Sequence, residues 1–194
     1  MIQLFHVYKS YARKRVGLED VTLRVEKGEF ALITGPSGAG KTTFLKLLFG
    51  LEQPDSGQIL VQGRNIARLE SSGWPYLRRT IGFVFQDFKL LQKKSVFDNV
   101  ALSMRVAGAS NSEIRKRVPE VLASVGLDHK KELVPMMLSA GEQQRVAVAR
   151  SIVNHPVILL ADEPTGNLDS ELSLEIFDLF KKINAKGTTI LVAT

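Results

Sequence analysis

The fold of this chain is decided by residues 30–42, which have the sequence FALITGPSGAGKT. Residues 30–34 form a nearly unbroken apolar run, which is typical of a parallel strand covered on both faces. Residues 35–42 match the pattern Gly-x-x-x-x-Gly-Lys-Ser/Thr, and residues 43–49 predict a helix that ends at Gly50. A strand, a glycine-rich loop and a helix in this order predict an α/β fold with a phosphate-binding loop.

The loop residues have the chemistry of a nucleoside triphosphate site. Glycines let the backbone turn its N–H groups toward phosphate oxygens, and the following helix adds the positive end of its dipole. We predict that Lys41 reaches the β and γ phosphates and that the Thr42 hydroxyl ligates Mg²⁺. The glycine spacing does not match the dinucleotide fingerprint Gly-x-Gly-x-x-Gly. The predicted phosphate-binding residues are Gly35, Pro36, Ser37, Gly38, Ala39, Gly40, Lys41, Thr42 and Thr43.

A second candidate element is the acidic pair Asp162 and Glu163, which follows the apolar run 157–161. An Asp-Glu pair alone is more often a solvated turn, but this one lies at the exit of a predicted buried strand. We predict that Asp162 holds the magnesium shell and that Glu163 orients and deprotonates a water molecule.

The 194 residues have the composition of an ordinary globular domain, with 44% hydrophobic and 24% charged residues. No apolar run approaches the roughly 18 to 20 residues of a spanning helix, so we expect any membrane role to involve a partner. The net charge of +6 is dispersed without interleaved aromatic residues, so no nucleic-acid partner is expected. The absence of cysteine excludes disulfides and thiolate chemistry and fits a cytosolic protein.

Strand and helix patterns alternate along the chain. The first 30 residues alternate in short stretches that predict antiparallel β structure, and later runs predict a parallel sheet. Residues 88–154 have helical spacing, with Ser112 as the expected cap of one helix and breaks at Gly108, Pro119, Gly126 and Pro135. We expect a single domain, with a core of residues 1–87 and 155–194 and one inserted helical subdomain, 88–154.

Residues 138–145, LSAGEQQR, resemble the signature motif of the ABC ATPases, which no other class of phosphate-loop protein carries. Gln86 matches the Q-loop glutamine, residues 162–169 match the Walker B motif and D-loop, and Tyr11 matches the aromatic residue that stacks on adenine. The resemblance covers the whole chain. It implies an ATPase with a RecA-like P-loop NTPase core, a parallel sheet, an N-terminal antiparallel β subdomain and an inserted α-helical subdomain.

The resemblance implies roles for residues on both sides of the ATP. In the chain's own site it implies Glu163, Lys41 and Gln86 as catalytic residues, and Thr42, Gln86 and Asp162 as the Mg²⁺ site. It also implies a head-to-tail homodimer in which one copy's signature motif contacts the γ phosphate held by the other. The residues implied to act across this interface are Leu138, Ser139, Ala140, Gly141, Glu142 and Gln143, with Asp169 in the D-loop.

Within the family, residues 81–91 and 160–169 most resemble the cell-division ATPases, which act with a membrane protein to control peptidoglycan hydrolases. The ATPases of lipoprotein-releasing and macrolide-efflux systems share most of these motifs and are the alternative. The resemblance implies a peripheral location on the cytoplasmic face of the bacterial inner membrane. A soluble ABC ATPase acting on nucleic acid and a small-molecule kinase are competing hypotheses that fit the motifs less well.

The chain departs from the family pattern at two places. Ala140 stands where the signature usually has a first glycine, and we expect its methyl group to weaken dimer closure, by crowding ATP or by requiring a particular backbone angle. The family has a histidine after its last strand, a position beyond Thr194. We therefore expect the C-terminal part of the family domain to be missing and hydrolysis to be slow.

Four large apolar residues, Phe85, Phe88, Phe97 and Met104, flank the predicted Q-loop. They can line a groove for a partner's helix or pack in the core, because aromatic residues after a strand usually face inward. The sequence favours neither alternative.

Overall fold

The computed structural model describes residues 1–11 and 15–194. No helix in these ranges is long and apolar enough to cross a membrane. In chain order the elements are β1 (Ile2–Tyr11), β2 (Arg15–Val25), β3 (Phe30–Ile33), α1 (Lys41–Phe49), β4 (Ser56–Val61), β5 (Arg64–Asn65), α2 (Trp74–Arg79), β6 (Ile81–Val84), α3 (Val96–Ala107), α4 (Asn111–Ser124), α5 (Ala140–Ile152), β7 (Ile158–Asp162), α6 (Ser170–Asn184) and β8 (Thr189–Ala193).

The strands form two four-stranded sheets. One is antiparallel, with the order β2-β1-β4-β5, and it contains the predicted N-terminal β structure. The other is parallel, with the order β3-β8-β7-β6, and its strands are joined by helices. The predicted fold class, an α/β parallel-sheet core with an antiparallel β part and inserted helices, is therefore confirmed.

The parallel sheet is apolar on both faces because each face covers a different core. Successive residues of a strand point to opposite sides. Leu159 and Val192 accordingly pack in the cluster formed with helices α3 to α6, whereas Leu160 and Leu191 pack in the cluster formed with α1 and the antiparallel sheet. All five residues of β7 and of β8 are buried, as the continuous apolar runs predicted.

Helices α3, α4 and α5 lie in the chain between β6 and β7. The predicted cap Ser112 is wrong, because Ser110 caps α4 and forms a reciprocal capping box with Glu113, while Ser112 lies inside the helix. The predicted break at Pro119 is also wrong. Pro119 lies within α4, where the buried Val118 and Val121 hold the helix against the core.

The carboxyl ends of the parallel strands meet at one edge of the sheet. Here β3 leads into the phosphate-binding loop, β6 is followed by Gln86, and β7 ends at Asp162. Open α/β sheets bind ligands at this edge. The topology thus brings together residues that are up to about 120 positions apart in the chain.

Candidate functional site

The phosphate-binding loop is shaped by two glycines in the left-handed region, Gly38 with φ 82° and Gly40 with φ 92°. Gly40 also lies against the backbone of β2, because a Cβ atom placed on it would be 2.0 Å from the carbonyl oxygen of Gly17. Only glycine avoids both the strained φ and this overlap. Glycine at position 40 therefore fixes where the loop ends and α1 begins.

The N-terminus of α1 is open to an anion. The four longest helices each begin with a side-chain cap, provided by Ser95, Ser110, Ser139 and Asp169. The first turn of α1 has no side-chain cap and no acidic residue. Its first N–H groups and the positive end of its dipole therefore fit a phosphate group.

Lys41 is 9% exposed, and the loop holds its ammonium group. Its Nζ donates to the carbonyl oxygens of Gly35 at 2.7 Å and Pro36 at 3.2 Å. The nearest carboxylate oxygen recorded, Glu163 Oε1, lies 4.0 Å away. A cation held largely by neutral carbonyl groups retains most of its charge for a phosphate ligand.

Two oxygen donors suited to Mg²⁺ lie side by side, since the Thr42 hydroxyl donates to Asp162 Oδ1 at 2.9 Å. No group of three or more His, Cys, Asp or Glu residues in the described ranges could hold a metal by itself. Mg²⁺ commonly binds through one or two protein oxygens together with water and substrate phosphates. The pair therefore fits a magnesium ion that arrives with a nucleotide.

Burial raises the pKa of Asp162, and the neighbouring charge of Glu163 also raises it. The hydrogen bond from Thr42 and the charges of Lys46 and Lys41 lower the pKa and oppose this shift. A carboxyl group whose pKa is higher in the folded state stabilises the fold at low pH and loses that contribution as pH rises through the folded pKa. Ionised Asp162 therefore destabilises the nucleotide-free protein at neutral pH.

We expect Asp162→Asn to raise the melting temperature of the nucleotide-free protein at pH 7, by roughly 2 to 4 °C per kcal/mol gained. The amide oxygen of asparagine still accepts the Thr42 hydrogen bond, whereas the partly buried negative charge is removed. The gain should shrink as the pH is lowered toward 4, and the extra stability conferred by Mg²⁺ and ATP should fall. Thermal unfolding measured with and without ligand tests this, and a lower melting temperature at pH 7 without nucleotide would contradict it.

Gln86 and Glu163 are joined by a hydrogen bond of 2.8 Å from Gln86 Nε2 to Glu163 Oε2. Glu163 has a left-handed φ of 42°, which is costly for a residue with a side chain. Its N–H donates to the Ala193 carbonyl oxygen at 2.9 Å, which ties the residue to the end of β8. The carboxylate is thus held between Gln86 and Lys41.

These groups surround a cavity of about 700 Å³. Residues 37–43, Tyr11, Gln86 and Glu163, all predicted site residues, line this cavity. Asp162 lies behind Thr42, and Gly35 and Pro36 contribute carbonyl groups to Lys41. Four lining residues were not predicted because they belong to no recognised motif: Val16, Gly17, Lys46 and Glu52.

Tyr11 lies at the wall of this cavity. Its hydroxyl oxygen is 3.2 Å from Thr43 Oγ1. A Cβ atom on Gly17 would lie 2.9 Å from Tyr11 Cε2, so the ring packs closely against the backbone of β2. The predicted stacking of Tyr11 on adenine stays a prediction.

The signature residues form the start of α5. Ser139 caps this helix through a capping box with Glu142, and Lys130 donates to the same carboxylate. The hydrogen bonds from Lys130 and from the Ser139 backbone N–H lower the pKa of Glu142. Gly141 is buried against Leu172, where a Cβ atom would approach the leucine side chain to 3.1 Å.

Ala140 is exposed at the first position of α5, and its backbone is not in the left-handed region. Of the two reasons for expecting weaker closure, the special backbone angle is therefore wrong, and crowding by the methyl group stays a prediction. Leu138 is buried, and its carbonyl oxygen accepts a hydrogen bond from Gln143 Nε2. Asp169, the predicted D-loop residue, caps α6.

The four apolar residues near Gln86 divide between the two alternatives. Met104 is buried in the helical core, and Phe88 and Phe97 pack against that core. Phe85 packs against the other core and is also the one of the four that lines a groove of about 530 Å³. This groove lies between α2, β6, α3 and α5 and is walled by Phe83, Leu102 and Val106, with basic groups at its sides.

Comparison with known proteins agrees with this site. The family model of the ABC transporter matches residues 18–166. The cell division ATP-binding protein FtsE of Mycobacterium tuberculosis is 51% identical to this chain, over all of this chain and 85% of that protein. FtsE of Escherichia coli strain K12 is 50% identical to it, over all of this chain and 87% of that protein. A similar solved structure is that of the ATP-binding cassette MJ0796, a dimer in a post-hydrolysis state with bound ADP and phosphate. Its TM-score is 0.91 at 37% sequence identity, over all of this chain and 88% of that one.

The family model covers the phosphate-binding loop, Gln86, the signature residues and the acidic pair. The relatives and the solved cassette extend the match to the full chain. This chain therefore belongs to the ABC transporter family, as one of its ATP-binding, ATP-hydrolysing subunits.

Proposed function

We propose that this chain is the ATPase subunit of a bacterial cell-division complex and acts with the membrane protein FtsX to control peptidoglycan hydrolases. It would be attached to the cytoplasmic face of the inner membrane through that partner. The proposal is supported by about 50% identity over the full chain to cell division ATP-binding proteins from distant bacteria.

The site residues have different roles in ATP hydrolysis. The loop amides and Lys41 hold the β and γ phosphates of ATP. Thr42 and Asp162 would hold Mg²⁺, which would supply positive charge to neutralise the phosphate oxygens. Glu163, oriented by Gln86, takes a proton from a water molecule whose oxygen attacks the γ phosphorus. The bond from that phosphorus to the bridging oxygen breaks, which yields ADP and phosphate.

One observation carries the proposal of a dimer: within the described residues, none of Leu138 to Gln143 lines the chain's own nucleotide cavity. The start of α5 is an exposed helix N-terminus with the Ser139 hydroxyl at its tip. Unlike the N-terminus of α1, this one is capped by Ser139 and has Glu142 in its first turn, so the group available to an anion is the Ser139 hydroxyl, whose hydrogen can still be donated. A second copy arranged head to tail can bring its ATP there. The solved cassette with ADP and phosphate is itself dimeric.

The groove beside Phe85 is the proposed docking site for the membrane partner. Its floor is apolar, and Arg79 and Lys89 at its sides favour a partner helix with acidic residues. Val106 is 68% exposed at this groove, so its side chain is accessible to a partner. The groove also reaches the segment after Gln86, so a bound helix would contact the chain near the hydrolysis site.

Copurification with FtsX from membranes tests the proposed function. We expect wild-type protein to retain FtsX and Val106→Glu to retain at least about ten-fold less, because the new carboxylate places a charge in an apolar interface and repels the acidic residues proposed for the partner helix. Leu174→Glu is the matched control, since Leu174 is also 68% exposed but lies on α6, away from the groove. Isolation of a lipoprotein-releasing or macrolide-efflux subunit in place of FtsX would overturn the cell-division assignment.

A further inference from the structure

The segment after Gln86 contains an energetically unfavourable turn. Phe88 and Lys89 have φ values of 58° and 50°, two successive side-chain-bearing residues in the left-handed region. L-residues other than Asn and Asp rarely adopt this conformation, even singly. Such a turn persists only where surrounding contacts impose it, and it is a common feature of functional loops.

Arg150 supplies those contacts from the last turns of α5. Its Nη2 donates to the carbonyl oxygen of Phe88 and its Nη1 to that of Lys89, both at 2.6 Å. The planar guanidinium group therefore bonds both strained peptides at once. Asn99 holds the end of the same segment, since it exchanges hydrogen bonds with the backbone N–H and carbonyl oxygen of Leu91.

Arg150 is partly buried at the side of the groove beside Phe85, where its charge is less well solvated than in open water. Burial lowers the pKa of its guanidinium group, which means that the charged form is disfavoured there. Within residues 1–11 and 15–194, no carboxylate lies within 4.0 Å of it to compensate. Its recorded hydrogen-bond partners are the two carbonyl groups of the strained turn. The hydrogen bonds to this turn therefore offset the cost of burying the Arg150 guanidinium group.

The turn begins two residues after Gln86, whose amide contacts Glu163 at 2.8 Å. The other end of α5 begins at Ser139, eleven residues and roughly 16 Å of helix before Arg150. One rigid helix therefore touches both the proposed trans-acting signature and the loop that carries Gln86.

We propose that Arg150 is a positioning residue for ATP hydrolysis, which holds the turn at Phe88 and Lys89 and thereby keeps Gln86 against Glu163. Through α5, it also links the hydrolysis site of one copy to its own signature residues, which contact the ATP of the other copy. This inference rests on the roles proposed above for Gln86, Glu163 and the signature.

Steady-state kinetics of the purified protein test the proposal. We expect Arg150→Met to lower kcat about ten-fold with KM for ATP within about two-fold, because ATP binding does not depend on the turn. Arg150→Lys should recover part of the loss, since its ammonium group still reaches a carbonyl oxygen. Arg117→Met is the matched control, because Arg117 also donates from a helix to a carbonyl oxygen, that of Val153, outside the site.

A double-mutant cycle separates positioning from a general structural effect. If Arg150 acts through Gln86, adding Arg150→Met to Gln86→Ala should lower kcat by less than about two-fold further. Losses that simply multiply, or an Arg150→Met variant that is folded and has a kcat within two-fold of wild type, would overturn the proposal.

Unchanged turnover in Gln86→Ala would remove the proposed role of Gln86 itself, and the inference about Arg150 with it. Should Arg150→Met fail to fold, the same cycle is performed with Arg150→Lys, whose smaller loss must likewise vanish in the Gln86→Ala background.

Discussion

Glu163→Gln is expected to lower kcat by about 10²- to 10⁴-fold, the usual contribution of a general base, while ATP binding is retained. Glutamine has nearly the same shape as glutamate and can still contact Gln86, which lies 2.8 Å from the carboxylate. It cannot accept a proton from water at neutral pH. The loss should therefore fall on kcat alone, and the ATP-bound state should accumulate.

Single-turnover and steady-state ATPase rates measure this effect. Glu120→Gln is a suitable control, because Glu120 is a half-exposed carboxylate on α4 that pairs with Arg117 outside the site. Turnover of Glu163→Gln within ten-fold of wild type would show that another group activates the water.

Ser139→Ala is expected to weaken ATP-dependent dimerisation by about 10²- to 10⁴-fold. A hydrogen bond to a charged group contributes roughly 1.5 to 3 kcal/mol, and a symmetric dimer with two ATP molecules loses two of them. The same substitution also removes the cap of α5, which costs about 1 kcal/mol of stability.

Ser110→Ala separates these two effects. Ser110 caps α4 with the same capping box, through Glu113 in place of Glu142, and it lies outside the signature. Both variants should therefore lose similar stability, but only Ser139→Ala should lose the dimer. Analytical ultracentrifugation of both in the Glu163→Gln background, with ATP, measures this, and equal dimer affinities would refute the trans contact.

The phosphate-binding loop and the acidic pair were predictable because their chemistry depends on local order. A tight loop needs glycines at fixed positions, and a buried parallel strand needs a continuous apolar run, as residues 35–42 and 157–161 have. The sequence places both motifs at strand ends, and the parallel topology brings the Thr42 hydroxyl oxygen to 2.9 Å from Asp162 Oδ1.

The two wrong predictions for α4, the cap at Ser112 and the break at Pro119, have different causes. The spacing Ser-x-x-Glu from Ser110 to Glu113 is the sequence pattern of a capping box, so Ser110 could have been predicted as the cap in place of Ser112. Pro119 is different, because local rules disfavour proline inside a helix and only the packing of neighbours such as Val118 overrides them.

Arg150 could not have been identified from the sequence. Its partners Phe88 and Lys89 lie about 60 residues away, and their left-handed backbone is imposed by tertiary contacts. An arginine near the end of an amphipathic helix is ordinarily a solvated residue. Likewise, nothing in the order of residues shows that Gly17 lies against both Gly40 and Tyr11.

In the proposed dimer, ATP is held between two copies, by the phosphate-binding loop of one and by Ser139 of the other. A crystal or cryo-electron microscopy structure of the Glu163→Gln variant with Mg²⁺ and ATP tests it most directly. We expect Ser139 Oγ of one copy to lie roughly 2.5 to 3.2 Å from a γ-phosphate oxygen of the ATP held by the other. Ser139 remote from every γ phosphate, in each assembly the variant forms with ATP, would contradict it.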